Sequence, residues 1–199
     1  MRYAKDHKVQ THEKIVTVAN RRFREQGFAD ATIPDVMGDA GLTHGGFYAH
    51  FTSKNALIEE AIAKAFRDSI LVLFAKLDGL DGKVQWEKVV RRYLNERHRD
   101  SLTEGCLMPA LSGEIARMEE VHRGRYEAGL KEFLATLEAY VPDDGSLPKD
   151  RRAVALLALM VGGVLLSRAV ADREFSDRIL EACREFALGQ VHERSKEPA

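Results

Sequence analysis

The chain of 199 residues has few cysteines, little excess charge and no long apolar run, and each shortage excludes a class of protein. Two cysteines without a paired spacing are too few for a disulfide framework. A formal net charge of −1 excludes a uniformly basic nucleic-acid-binding protein. The polar N-terminus lacks the apolar stretch of a signal peptide. We therefore expect a soluble, cytoplasmic protein.

The longest apolar run extends from Ala153 to Leu166. It is shorter than the roughly 20 residues that a membrane-spanning helix requires. We therefore expect a buried helix at this position, with one face at an interface, and no membrane partner.

Helical periodicity, in contrast, is present along almost the whole chain. Apolar residues recur every three or four positions, as at Ile15, Ala19 and Phe23, and no segment alternates with a period of two. This pattern predicts an all-α fold of about nine helices. Beyond residue 53, the predicted helices cover residues 54–77, 84–99, 107–117, 119–141, 149–172 and 175–192.

Residues 32–54 carry the most specific pattern, two short helices joined by a tight turn. Thr32-Ile33-Pro34-Asp35 fits the start of the first helix, with Thr32 as its N-cap, and Gly41 ends it. Thr43 then caps a short helix that continues to about His50. This arrangement is typical of a helix-turn-helix, in which the second helix presents its polar start to DNA.

The side chains of this segment divide into three sets. The first set packs the two helices together and comprises Ile33, Val36, Met37, Ala40, Leu42, Phe47 and Phe51. The second set begins helices or carries donors suited to phosphate, and comprises Thr32, Thr43, Tyr48, His50 and Lys54. The third set faces the bases and comprises His44, Gly45 and Gly46.

The base-facing set is small. Each glycine inside a helix costs about 1 kcal/mol relative to alanine, so Gly45 and Gly46 favour a close approach of the backbone to DNA. The imidazole of His44 can reach a guanine acceptor. His44 and His50 do not share a helix face, and we expect no metal site and no other cofactor.

At these positions the sequence resembles the TetR family of bacterial transcriptional regulators. The family pattern at a helix break corresponds to Gly27-Phe28-Ala29-Asp30-Ala31-Thr32, and its signature after the turn corresponds to Phe47-Tyr48-Ala49-His50-Phe51-Thr52-Ser53-Lys54. The specific resemblance covers about residues 11–65. Position 45, which is often bulkier or polar in the family, is Gly here, so DNA shape gains weight in recognition.

The resemblance implies a three-helix DNA-binding domain over residues 1–53 and a helical ligand-binding and dimerisation domain over residues 54–199. It implies a homodimer on a palindromic duplex operator, most often a repressor that a small-molecule effector releases. It also implies that the second set of side chains contacts phosphate and that Thr43 to Gly46 face bases. No enzymatic activity is expected.

The family places dimerisation in its last two helices. Here Ala153 to Ala171 is apolar on nearly all sides, and such a helix needs cover on more than one face. The expected interface residues are Leu159, Gly162, Gly163, Leu166, Ile179, Cys183 and Phe186. The alternative is that both helices lie in the core of a monomer.

The expected effector site consists of aromatic and sulfur-containing residues. They are Phe66, Trp86, Tyr93, Cys106, Met108, Tyr126 and Met160. Three of them carry polar tips that need partners, namely Trp86, Tyr93 and Tyr126. The alternative for each residue is ordinary core packing.

Cys106 permits two further hypotheses. A Gly-Cys-Leu start to the sixth helix resembles one subgroup of the family, and a helix N-terminus favours the thiolate, so Cys106 could sense electrophiles or oxidants. A buried packing role is the alternative. Less favoured are a cysteine-dependent enzyme that uses His98 or His122, and a helical protein-interaction module that does not bind DNA.

Overall fold

A computed structural model describes residues 2–143, 145 and 147–189, with side chains from Asp6 onward. These residues form nine α-helices and one 3-10 helix without any strand, which confirms the all-α prediction. The 3-10 helix is His44–Ala49 and lies between α2 and α3. The α-helices are α1 Arg2–Asp30, α2 Ile33–Asp39, α3 Lys54–Leu73, α4 Gly82–Tyr93, α5 Glu96–Asp100, α6 Leu107–Ile115, α7 Glu120–Glu138, α8 Lys149–Ala169 and α9 Arg173–Ala187.

The chain divides into two compact units. The first unit comprises Met1–Ala75 and Ser101–Phe133, and the second comprises Lys76–Asp100 and Leu134–Ala199. The first unit therefore joins the helix-turn-helix to α3, α6 and most of α7, because α3 and α6 both pack against α1. This division differs from the predicted domain boundary between residues 53 and 54, which stays a prediction.

Helix α1 contains a break at Gly27, whose φ of 84° lies in the left-handed region that favours glycine. The sequence pattern ends the helix here, whereas the structure adds a final turn to Asp30 after the break. The Phe28 ring folds back onto Phe23 with 5.1 Å between ring centroids. Residues 28–31 thus lead directly into α2.

The single helix predicted over residues 84–99 is wrong, because Asn95 divides it into α4 and α5. The Asn95 amide nitrogen donates to the carbonyl oxygens of Arg91 and Arg92, at 3.0 and 2.7 Å. Its amide oxygen accepts from the His98 backbone N–H at 2.9 Å. Asparagine thereby ends one helix and caps the next, since its side chain competes with the backbone for hydrogen bonds.

Two other expectations change near the C-terminus. Helix α8 has 21 residues and is long and apolar enough to span a membrane by length and composition alone, although core helices of soluble proteins share this property. The helix predicted over residues 149–172 begins where expected and ends three residues earlier, at Ala169. The last predicted helix is Arg173–Ala187, and its proposed residues 190–192 and the polar tail from Glu193 lie outside the described residues.

In the second unit, α8 and α9 pack closely at Gly163. A methyl group on Gly163 would lie 2.9 Å from Cys183 Sγ and 3.1 Å from Leu94 Cδ2, so the helix pair requires glycine here. Arg99 is only 3% exposed and donates from Nη1 to Ser176 Oγ at 2.9 Å and also to the Asp177 carboxylate. These bonds hold α5 to the start of α9.

Candidate nucleic-acid interface

The helix-turn-helix has its own apolar core. Val36, Met37, Ala40, Phe47 and Phe51 are all buried, and Phe47 has no exposed surface. The remaining two residues of the predicted packing set, Ile33 and Leu42, are half-buried. The whole set therefore packs as the sequence predicts, and it holds α2 against the 3-10 helix.

Thr32 is the N-cap of α2, as predicted. Its Oγ1 accepts from the Asp35 backbone N–H at 3.3 Å and donates to Asp35 Oδ2 at 2.6 Å. In a full capping box the N3 carboxylate would accept from the N-cap backbone N–H, but here it accepts from the Thr32 hydroxyl. The hydroxyl remains on the exposed surface, at the positive end of the helix.

The short helix after the turn is a 3-10 helix. Gly46 N–H donates to the Thr43 carbonyl at 3.0 Å, and His50 N–H donates to the Phe47 carbonyl at 2.9 Å. Thr43 is the N-cap, but its side chain makes no capping hydrogen bond. The i to i+3 bond explains this difference, since it uses the Gly46 N–H that the hydroxyl would otherwise bind.

Most exposed residues of the 3-10 helix and its N-cap are ones predicted to face DNA. Thr43, His44 and Gly45 are exposed, and Tyr48 is 65% exposed with its ring edge-on to Phe47 at 5.3 Å. A Cβ on Gly45 would meet no atom within 4 Å. Packing within the chain therefore does not explain this glycine.

Gly46 is also compatible with a side chain. A Cβ there would lie 3.6 Å from Met37 Cε and 3.7 Å from Thr43 Oγ1, which is ordinary van der Waals contact. Neither glycine of the pair is among those with positive φ. The fold thus tolerates alanine at both positions, and the glycine pair exposes backbone on this surface.

His50 is half-buried beside α1. Its ring centroid lies 5.9 Å from that of His12, and its Nδ1 is buried without a hydrogen-bond partner. Burial lowers the pKa of His50, and the nearby His12 and Lys8 lower it further. The His12 ring stacks on Phe51 at 4.4 Å. His50 is therefore less able to carry positive charge than an exposed histidine.

Lys54 begins α3 and also contacts the end of α1. Its Nζ donates to the Ala29 carbonyl at 3.1 Å. Burial lowers the pKa of Lys54, while the Asp30 carboxylate opposes that shift. Lys54 thus has a structural role that the sequence pattern does not reveal.

Ion pairs hold α1 to the end of α2. Arg22 donates to both Asp39 oxygens, at 2.6 and 2.9 Å, and Arg21 donates to Asp39 at 3.3 Å. The hydrogen bond from Arg22 lowers the pKa of Asp39. Sequence reasoning missed this pair because the residues are 17 positions apart on different helices.

The sequence profile of the "Bacterial regulatory proteins, tetR family" matches residues 15–61, the segment that carries this geometry. Residues 15–61 therefore carry the DNA-binding domain of the TetR family. The chain is accordingly a DNA-binding transcriptional regulator with a helix-turn-helix.

Similarity to named relatives extends over nearly the full length of this chain. It is 22% identical to the HTH-type transcriptional repressor DhaR of Mycobacterium sp. (strain GP1), over 93% of this chain and 96% of the relative. Two solved structures share the fold. E. coli NemR in its reduced form has a TM-score of 0.75 at 19% identity, covering 89% of this chain and 95% of that one. A TetR regulator from Chloroflexus aurantiacus has a TM-score of 0.75 at 23% identity, covering 96% of each chain.

The predicted effector residues are divided between the two units. Phe66, Cys106, Met108 and Tyr126 lie in the first unit, and Trp86, Tyr93 and Met160 lie in the second. All are buried except Tyr126, which is half-buried. They do not form one cluster within either unit.

The polar tips of two of these residues have partners within the chain. Trp86 Nε1 donates to the Ala187 carbonyl at 2.9 Å, which explains Trp86 as a core residue of the second unit. The Tyr126 hydroxyl lies 2.7 Å from Ser112 Oγ, and its ring meets Phe66 edge-on at 5.2 Å. Burial raises the pKa of Tyr126. Within the residues that the structure describes, no three metal-ligating side chains converge.

The predicted dimer residues also divide into two groups. Leu166 and Phe186 are 57% and 64% exposed, and Leu159, Gly162 and Ile179 are half-buried. Gly163 and Cys183 instead contact each other within the chain. Helix α9 of the same chain therefore approaches Gly163 closely.

Proposed function

We propose that this chain is a ligand-responsive repressor that binds a palindromic operator as a homodimer and is released by a small-molecule effector. One observation carries the proposal. The 3-10 helix exposes His44, Gly45 and Tyr48 directly above the fully buried Phe47, within the segment that matches the family. A surface with this composition, held rigidly from below, suits contact with a DNA groove.

The contacts are assigned as follows. Thr32, Thr43, Tyr48, His50 and Lys54 bind phosphate oxygens, and His44 with the Gly45 and Gly46 backbone reads the bases. The exposed caps at Thr32 and Thr43 support the first assignment, because helix starts attract anions. The open space at Gly45 supports the second, since it allows the backbone to approach a base edge.

Dimerisation is assigned to the outer face of α8 and α9. Exposed apolar residues on this face support the assignment, since such patches mark interaction surfaces. They are Val154, Leu165, Leu166, Phe175 and Phe186. The dimer would place its two 3-10 helices about 34–36 Å apart, in successive major grooves.

The effector site is assigned to the Phe66, Met108 and Tyr126 side chains of the first unit. The half-buried Tyr126 hydroxyl on Ser112 supports this choice, because a polar group inside an apolar wall can orient a ligand. A coupling of about 1–3 kcal/mol between effector and operator is sufficient for release. A regulator of this kind works in the cytoplasm, and the regulator names of the relatives favour it over an enzyme.

A gel-shift titration tests the proposal with duplexes that tile the DNA upstream of the chain's own gene. We expect a palindromic duplex to be retarded in a salt-dependent way. If the folded protein binds no such duplex at any salt concentration, but binds another protein independently of salt, it is a helical interaction module instead.

Variants of Lys54 separate the predicted phosphate contact from the capping contact. Lys54→Gln keeps an N–H donor for the Ala29 carbonyl but removes the charge. It should weaken binding to all duplexes and reduce the salt slope by about one unit. His44→Ala should instead change sequence preference. Identical behaviour of the two variants would contradict the division between phosphate and base contacts.

The second candidate signal is chemical modification of Cys106. This residue is the N-cap of α6 and interacts electrostatically with the Arg24 guanidinium and the Tyr126 phenol. Such a position supports reactivity, although Cys106 is only 8% exposed. Operator release by N-ethylmaleimide should be lost in Cys106→Ser and kept in Cys183→Ser. Release that survives in Cys106→Ser eliminates this signal.

A further inference from the structure

The break in α1 frees a backbone amide, and a carboxylate from α6 binds it. Gly27 leaves the helical region with φ 84° and ψ 169°, so the next amide no longer points along the helix. The Phe28 N–H donates to Glu114 Oε2 at 2.9 Å. A hydrogen bond from an amide to a carboxylate is about twice as strong as a neutral one.

Gly27 is shaped to receive this carboxylate. A Cβ at this position would lie 2.6 Å from Glu114 Oε1 and 2.9 Å from Oε2, closer than real side chains approach. Glycine is therefore favoured here for two reasons, the positive φ and the close approach of the Glu114 carboxylate. Two independent features of the chain, a backbone break and an absent side chain, meet at one acidic group.

The same end of α1 is bound by two helices and leads into a third. Lys54 of α3 donates to the Ala29 carbonyl, and Glu114 of α6 accepts from the Phe28 amide. Thr32, four residues beyond Phe28, caps α2. Residues 28–32 are thus a short backbone bridge between α6 and the helix-turn-helix, and any shift of Glu114 acts on the entry to α2.

The segment that precedes α6 also contacts α1. Arg24 Nε donates to the Thr103 carbonyl at 2.8 Å, and burial lowers the pKa of Arg24. On α6 itself, Ser112 lies two residues before Glu114 and contacts the Tyr126 hydroxyl of α7 at 2.7 Å. A change at Tyr126 therefore reaches Glu114 through one helical segment.

We propose that Glu114 is a positioning residue for operator binding, which couples α6 to the helix-turn-helix through the Phe28 amide. The proposal rests on the proposed function, because it identifies how an event at α6 and α7 alters the DNA-binding surface. Glu114 touches no DNA in this role. It acts by fixing the end of α1 and thereby the direction in which α2 begins.

Amide hydrogen exchange tests this coupling without a known effector. The full-length wild type, Glu114→Ala and the exposed control Glu119→Gln are measured alone and with the upstream duplex that the wild type retards. In Glu114→Ala the Phe28 amide should exchange about tenfold faster, the factor equivalent to 1.4 kcal/mol for one charged hydrogen bond. Glu119→Gln should match the wild type.

The decisive readout is the protection of α6, residues 107–115, when duplex is added. In the wild type, DNA should slow exchange there at least threefold, because linkage between two sites is reciprocal. In Glu114→Ala this slowing should disappear. A merely structural Glu114 would lower thermal stability and leave the slowing intact, and that result overturns the proposal.

A second variant covers the case in which Glu114→Ala does not fold. Glu114→Gln retains an acceptor oxygen without charge, so Phe28 exchange should rise a few-fold and part of the α6 protection should be lost. No change in either quantity overturns the proposal. A wild type that binds no duplex overturns the proposed function instead, so the two failures are distinguishable.

Discussion

Among the aromatic side chains of residues 32–54, Phe47 and Phe51 are buried and only Tyr48 is strongly exposed. Helices α8 and α9, in contrast, leave four large apolar side chains at least half-exposed. The four are Val154, Leu165, Leu166 and Phe186. The first region covers its own apolar residues and exposes polar groups and bare backbone. The second exposes apolar surface that water does not favour. The first region is therefore complete within one chain, whereas the second is the surface to which we assign the proposed dimer.

The largest expected effect on stability comes from replacing Phe47, and its neighbour Tyr48 is the matched test of this comparison. Phe47→Ala should destabilise the helix-turn-helix by about 3–5 kcal/mol, because the ring is fully buried. Tyr48→Ala should change stability by less than about 0.5 kcal/mol but weaken operator binding. Urea unfolding and gel shifts on both variants check this. Equal destabilisation would show that Tyr48 belongs to the core.

Charge placed on the α8–α9 face should dissociate the proposed dimer. In Leu166→Glu and Phe186→Glu, a carboxylate would replace an apolar side chain at positions that are 57% and 64% exposed, so the monomer should keep its fold. Light scattering should report a monomer mass, with dimerisation weakened at least tenfold. Val121→Glu, at a 50% exposed position on α7, is the control and should remain dimeric. If all three variants remain dimeric, the interface lies on another surface.

Alanine substitutions at glycines of the two regions should change the stability of the fold in opposite directions. Gly163→Ala should destabilise by about 1–3 kcal/mol, since its methyl would lie 2.9 Å from Cys183 Sγ. Gly45→Ala should stabilise by up to about 1 kcal/mol, because the site is open, and yet weaken operator binding. Gly162→Ala, also open, is the control for helix propensity. Unchanged operator affinity in Gly45→Ala would show that bare backbone at this position does not contribute to operator binding.

The smallest effect concerns pH. The pKa of His50 is lowered in the folded chain, so the unfolded chain binds the proton more readily, and the stability due to His50 falls as pH drops through about 6.5. A phosphate contact favours the protonated ring, so operator affinity should rise over the same range. His50→Gln should abolish both trends, whereas Thr43→Val, which removes a predicted phosphate donor that does not titrate, should keep them. Operator titrations from pH 5.5 to 7.5 measure this.

The sequence pattern predicted the local elements of the DNA-binding segment well. Thr32, Gly41 and Thr43 mark helix ends in both the pattern and the structure, because capping depends on residues within one turn. The pattern failed at Asn95, where one amide ended a helix inside a periodic stretch. It also failed to identify the 3-10 winding of the short helix, which depends on which carbonyl the Gly46 amide reaches.

Contacts between distant residues could not be derived in this way. Phe28 and Glu114 are separated by 86 positions, and Trp86 and Ala187 by 101. The residue types do not predict either pair, because glutamate and tryptophan are compatible with many environments. The structure therefore gave Lys54 and Trp86 structural partners that a motif cannot supply.

By itself, the sequence determined the helical class, the helix-turn-helix and the family, because these follow from periodicity, caps and a local signature. Only the tertiary structure decided which of the two adjacent glycines in α8 is required, which aromatic residues are core, and that α6 contacts the break in α1. The physical reason is range. Local rules act over one helical turn, whereas burial and close approach depend on helices that meet only after the chain has folded.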